Sequence, residues 1–304
     1  MLSECLEQFV LARRSEGATD ATVTWYEWQV GYLRQWLTLQ GDPPLTPIIL
    51  RRYFVYLRDR HKAPGADGKA KKPMRDASIV SAHRALRSFF KWCQAEGLIE
   101  QSPMIGVKIK PAEPHEPRRA TRAEVDKLLR SIPVDGWLGL RDFLIVHILF
   151  MAGLRGGGLV LLEERHFDLE NQVLHVPAGK SGPGVVPMVH SLIEAFMAYQ
   201  AHRPQGITDK LLISANGKGV PKGALTASGV RQMLANRCEE AGIRRLNPHS
   251  FRHGVAMHLL NDKRVDATLV QKILRHASLR TTTTFYAHWL VSALGDEYRN
   301  VMEG

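Results

Sequence analysis

The sequence predicts a mainly α protein of two domains, an all-helical amino-terminal domain and an α+β carboxy-terminal domain holding a small antiparallel β-sheet. Three observations carry that expectation. Apolar residues recur at helical spacing through most of residues 3–96, four prolines break the chain within 102–119, and short β-branched runs lie between 166 and 188.

Taken in order, Leu6, Phe9, Val10 and Ala12 form the first helical stripe. After Gly17 a second runs through Val23, Trp25, Tyr26, Tyr32, Leu33, Trp36 and Leu37, with its aromatics expected mostly inward. Pro43, Pro44 and Pro47 precede a third helix over 48–59, and a fourth runs over 77–96 and stops at Gly97. Between helices three and four, residues 61–75 hold five lysines or arginines against one aspartate and show no periodicity. A flexible basic loop follows: solvated surface is its plainer reading, contact with phosphates its functional one.

The proline-rich stretch reads as an extended connector. The expected domains are therefore 1–107, helical; 108–119, a linker; and 120–304, the second domain. There Thr121 and Glu124 make a capping box before a helix through Leu129, and 140–151 reads as a buried helix closing at Gly153. Residues 166–177 and 184–188 predict two or three short strands, with Lys180 at a hairpin tip.

Composition narrows the class. The 304 residues are 44% hydrophobic, ample for two cores, and carry a net charge of +11 with a pI near 9.7. Both parts are basic, with 17 Lys+Arg against 11 Asp+Glu in residues 1–110 and 24 against 19 in the rest. A polyanionic partner is compatible with this, although charge alone does not choose it over simple solubility. Cys5, Cys93 and Cys238 are odd in number and far apart, which predicts reduced buried thiols in a cytoplasmic protein and no zinc site. The longest apolar run, 143–154, is too short to span a bilayer, and the amino terminus carries Glu4 and Glu7 rather than a basic export signal.

The chemistry is concentrated in four segments of the second domain: Gly153-Leu-Arg155; Gly179-Lys180; Asn247-Pro-His249-Ser-Phe-Arg252-His253; and Leu274-Arg-His276-Ala-Ser-Leu-Arg-Thr-Thr-Thr-Thr-Phe-Tyr286-Ala-His288. In order and context they resemble the tyrosine recombinase, or phage integrase, family, whose pattern is arginine, lysine, His-x-x-Arg, histidine and a nucleophilic tyrosine. The two-domain architecture resembles the Xer type, although mobile-element integrases can be equally short. The resemblance implies a helical core-binding domain over 1–107 and a catalytic domain over 120–304 that clamp duplex DNA. It further implies that four protomers join two specific recombination sites, with accessory DNA-bending proteins as further partners. No metal, nucleotide or other cofactor is expected, and the protein would work in the cytoplasm at the nucleoid.

Cleaving a phosphodiester without metal needs a nucleophile, cations on the nonbridging oxygens and an acid for the departing 5′-oxygen. By resemblance Tyr286 is the nucleophile, although a tyrosine beside Phe285 and Trp289 would otherwise read as core. Arg155 and Arg252 suit a phosphate clamp, because guanidinium forks match phosphate oxygens and stay charged. Asn247 can cap a helix with Pro248 at its first position, placing His249 and Arg252 on one face near a helix amino terminus. The resemblance makes His249 a base or orienting group and His276 a donor to a nonbridging oxygen; His253 and His288 read as supports.

Lys180 is the candidate acid, since an ammonium on a hairpin can reach the leaving oxygen and nearby cations lower its pKa. Lys218 and Lys222 are weaker alternatives. Ala178-Gly-Lys-Ser181 ends like a nucleotide-binding loop, but Leu174 stands where that motif needs its first glycine. Two positions depart from the family pattern. Gly158 stands where an acidic residue is usual, within three glycines that predict a late or loose helix after Arg155, and Arg275 stands where glycine is common. The expected function is thus site-specific recombination, for integration or excision of mobile DNA. Xer-type dimer resolution, a type IB topoisomerase and a catalytically silent DNA-binding protein are the rivals.

Overall fold

The computed structural model describes residues 2–59, 74–112, 118–179 and 182–275, apart from the side chains at 261 and 262. The chain divides into two compact units, Met1–His115 and Glu116–Gly304. The first is a bundle of α1 (Leu2–Ser15), α2 (Asp20–Leu39), α3 (Pro47–Asp59) and α4 (Asp76–Ala95). Each begins or ends where the local chemistry dictates: the Thr19 side chain accepts from Thr22 N to start α2, and Pro47 opens α3 at a position where its missing amide costs nothing. Phe9 is fully buried among Tyr26, Phe89 and Trp92, with ring centroids 4.8–5.3 Å away, so α1, α2 and α4 share one aromatic core.

The expected α2 stripe departs at one position. Val23, Val30, Leu33, Trp36 and Leu37 face the core and Trp25 and Tyr26 are half-buried, but Tyr32 is exposed, as is Trp28 outside the stripe, because at 100° per residue they fall outside the narrow arc that α1 and α4 cover.

The second unit is mainly helical with two small antiparallel sheets. Helix α5 (Arg122–Ser131) starts from the expected box: the Thr121 hydroxyl accepts from Glu124 N while Glu124 accepts from Thr121 N at 2.9 Å. Helix α6 (Trp137–His147) continues as a wider π turn, Ile148–Ala152. After the single turn α7 (Gly156–Leu159) come β1 (Phe167–Asp168), β2 (Val173–Val176) and β3 (Gly184–Pro187), ordered β1-β2-β3. Leu174 pairs with Val186, and both point into the core with Phe167.

Helix α8 (His190–His202) packs on α6, and a second hairpin follows, β4 (Ile213–Ala215) with β5 (Pro221–Ala224). Lys218 lies in its turn and Lys222 on β5. Helices α9 (Ala227–Glu240), α10 (Pro248–Met257) and α11 (Ala267–Leu274) complete the described unit. Arg141 and Arg237 both donate to buried Asp142, and Arg141 also donates to Ile213 O, which fastens α6 to α9 and β4. The three cysteines are free and buried. No described helix is long and apolar enough to cross a membrane.

Candidate active site

The described candidates are positioned by three local structures. Gly153 ends the π turn at φ +58°, a left-handed conformation open to glycine without a Cβ penalty, and it turns the chain so that Arg155 stands at the head of α7. Contrary to the expected late start, α7 begins at once, with Leu159 N bonded to Arg155 O at 3.0 Å, but it lasts only one turn. Its anchor is Leu159, fully buried; the glycines contribute no apolar surface to prolong it.

Nothing lies within 4 Å of a Cβ built on Gly157 or Gly158. Gly157→Ala and Gly158→Ala should therefore each raise stability by about 0.5–1 kcal/mol, by restricting the unfolded chain. Urea unfolding checks this, and a loss of stability in either variant would contradict the placement of α7.

Helix α10 starts as its sequence dictates: Asn247 Oδ1 accepts from Ser250 N at 3.1 Å and Pro248 occupies the first turn. His249 is exposed in that turn, where the positive end of the helix dipole favours an anion. Arg252, one turn further in, is 4% exposed, and its Nη1 donates to Gly153 O at 2.8 Å while its Nη2 donates to Leu274 O. The shared face of His249 and Arg252 thus divides by depth. Arg252 joins α10 to the segment leading to Arg155 and to the end of α11.

Arg155 and His249 line one cavity of about 820 Å³, together with Arg231 of α9, Arg245 just before α10, and Arg275 at the end of α11. None of the described residues lining it is acidic. Gly179 and Gly182, which flank position 180 in sequence, also line it, whereas Lys218 and Lys222 do not. Lys180, His276, Tyr286 and His288 lie outside the described residues, as do residues 61–73 of the basic loop and 113–117 of the connector. Position 180 falls between two antiparallel strands rather than between a strand and a helix, unlike a nucleotide-binding loop.

Arg231 and Arg245 escaped the sequence reading. Arg245 had a signal in the basic pair Arg244-Arg245 just before the Asn247 cap, but Arg231 had none, since only the packing of α9 beside α7 brings it here.

Electrostatics follow from burial. Arg155 is held below its ordinary pKa by desolvation, and Arg275 by desolvation and then by repulsion from Arg155. Both guanidinium groups remain charged at any working pH. Half-buried His253 is depressed below 6.5 by burial, then by its neighbours His249 and Arg252. A histidine depressed in the folded state stays neutral while the unfolded chain takes up a proton, so its contribution is full above about pH 6.5 and is lost as pH falls towards the folded value. Urea midpoints should thus drop from about pH 7.5 to about pH 5.5, and His253→Gln should shrink the drop. An undiminished drop in that variant would show that His253 is not responsible.

A cavity walled by arginines at a helix amino terminus, with glycine-rich margins, has the chemistry that suits phosphate oxygens. Residues 118–292 match the phage integrase family, and the chain belongs to that family. Among its relatives, tyrosine recombinase XerA of Thermococcus onnurineus (strain NA1) is 31% identical over 264 residues, covering 82% of this chain and 87% of that one. Tyrosine recombinase XerD of Listeria innocua serovar 6a is 28% identical over 295 residues, 93% of each chain. The Tn1549 transposon integrase, solved in complex with transposon right end DNA, shares the fold with a TM-score of 0.72 at 19% identity, over 98% of both chains.

Proposed function

We propose that this protein is a site-specific recombinase that cleaves and rejoins duplex DNA through a 3′-phosphotyrosyl intermediate at Tyr286. The observation that carries the reading is the cavity holding Arg155, Arg231, Arg245, Arg275 and His249 with no acidic residue among its described walls. Such a site neutralises a phosphodiester and the further charge that develops on its nonbridging oxygens during attack.

In the reaction the Tyr286 oxygen attacks phosphorus, the bond to the 5′-oxygen breaks, and a phosphotyrosine forms. His249 takes the phenolic proton, Lys180 protonates the departing 5′-oxygen, and Arg155, Arg252 and His276 hold the phosphate oxygens. The new ester keeps the bond energy, so reversal by a 5′-hydroxyl rejoins DNA without metal or nucleotide. Residues 1–107 act as the core-binding domain, 108–119 as the linker and 120–304 as the catalytic domain. Four protomers assemble on two sites in the cytoplasm, with DNA-bending proteins as accessories. Arg231 and Arg245, at the exposed margin of the cavity, contact flanking phosphates and supply affinity without sequence information.

The role we assign is integration or excision of mobile DNA, and the departure at Gly158 is what suggests its rival, a catalytically silent DNA-binding protein. The XerA and XerD relatives favour a second reading, resolution of chromosome or plasmid dimers. A supercoiled plasmid carrying two copies of the DNA adjoining the gene tests the chemistry. Recombinant circles support the proposal; relaxation alone would indicate a topoisomerase, and binding without strand exchange a silent DNA-binding protein. Junction sequences from cells then separate the roles, since attachment-site junctions mark mobile DNA and monomerised replicons mark dimer resolution.

A further inference from the structure

Arg275 is the member of the arginine cavity that no part of the proposed reaction uses. It occupies the left-handed region at φ +55°, a conformation that a β-carbon makes costly, directly after α11. Its stem lies over β3: a Cβ on Gly184 would stand 2.5 Å from Arg275 Cδ, so the bare glycine backbone leaves the space through which the side chain reaches the cavity. At its end, Nε and Nη1 are shielded from solvent and have no hydrogen-bond partner among the described residues. Arg155, lining the same cavity, is close enough to repel it.

Two shielded guanidinium nitrogens without an acceptor, beside a like charge and with no carboxylate among the described walls, are destabilising. Both faults are relieved by one kind of ligand, an oxyanion that accepts from both arginines. Inorganic phosphate and a DNA phosphodiester share that chemistry.

We propose that Arg275 is a further phosphate-binding residue of this site, donating with Arg155 to the oxygens of one phosphate group. Within the recombinase reading, on which this assignment rests, that group is the DNA phosphate under attack. With Gly158 in place of a carboxylate and Arg275 in place of glycine, the site is doubly shifted towards positive charge. It therefore grips its phosphate more tightly than the usual family pattern would.

Thermal unfolding of the full chain in sodium phosphate, against sodium chloride at matched ionic strength, tests the assignment without requiring turnover. Wild type should be stabilised by phosphate. Arg275→Gln, which keeps the stem and the left-handed backbone but removes the charge, should melt higher than wild type in chloride and bind phosphate roughly tenfold more weakly. Gly184→Ala, which keeps the charge but blocks the path of the side chain, should also weaken the response to phosphate. Three results would overturn the assignment: no phosphate response in wild type, a wild-type response in either variant, or a lower melting temperature for Arg275→Gln in chloride. Covalent trapping on nicked DNA decides the recombinase reading separately. Wild type that forms no adduct would remove that reading, while the phosphate response would still decide whether Arg275 binds an oxyanion.

Discussion

Arg252→Ala is expected to destabilise the second unit by about 2–5 kcal/mol and to abolish DNA cleavage. The stability loss follows from the two bonds that the side chain makes. Removing it leaves Gly153 O and Leu274 O without that donor in a region where Arg252 itself is 4% exposed, and each unsatisfied buried carbonyl costs about 1–3 kcal/mol. The loss of cleavage follows from what those carbonyls adjoin. Gly153 sets the approach of Arg155, and Leu274 sets that of Arg275 and, in sequence, His276. Arg252→Lys is the informative companion: one ammonium can replace part of the bonding but not the planar fork. It should recover part of the stability and little of the cleavage. Urea unfolding and adduct formation read the two effects, and an Arg252→Ala protein as stable as wild type would show that the arginine does not tie these segments together.

Gly254→Ala should also lose stability, by about 1–3 kcal/mol, for a different reason. The backbone entering the second unit lies directly on α10, where Ala120 N donates to Ser250 O at 2.8 Å. A Cβ on Gly254 would stand 2.3 Å from Ala120 O, so α10 or the entering chain must move and that hydrogen bond is strained or lost. Because α10 carries His249 and Arg252, cleavage should fall with stability. Gly157→Ala provides the contrast, since the same substitution in open space should stabilise. If both variants behave alike in urea, the close approach of residue 120 to α10 is not real.

The fold was legible wherever its determinants are local. The cap at Asn247 with Pro248, the Thr121–Glu124 box, the glycine that closes the helix at 153 and the pairing of β2 with β3 all depend on residues a few positions apart. The β4–β5 hairpin was missed because Pro221-Lys-Gly-Ala224 has little strand propensity; its pairing to Ile213–Ala215 and the bond from Arg141 to Ile213 O hold it instead. In the candidate site, motif order singled out Arg155, His249 and Arg252, but no pattern shows depth. The contact between Arg252 and Gly153 spans 99 residues, and it separates a buried connector from an exposed His249 three positions away. The convergence of Arg231, Arg245 and Arg275 is likewise a product of packing between α7, α9, α10 and α11.

The most direct test of the proposed reaction is to locate the covalent bond. The full chain would be incubated with a nicked duplex drawn from the DNA adjoining its gene, digested with protease, and the DNA-linked peptide sequenced by mass spectrometry. A nucleotide on Tyr286, joined through a 3′-phosphate and lost in Tyr286→Phe, is the expected result. An adduct on any other residue, or one that persists in Tyr286→Phe, would contradict it.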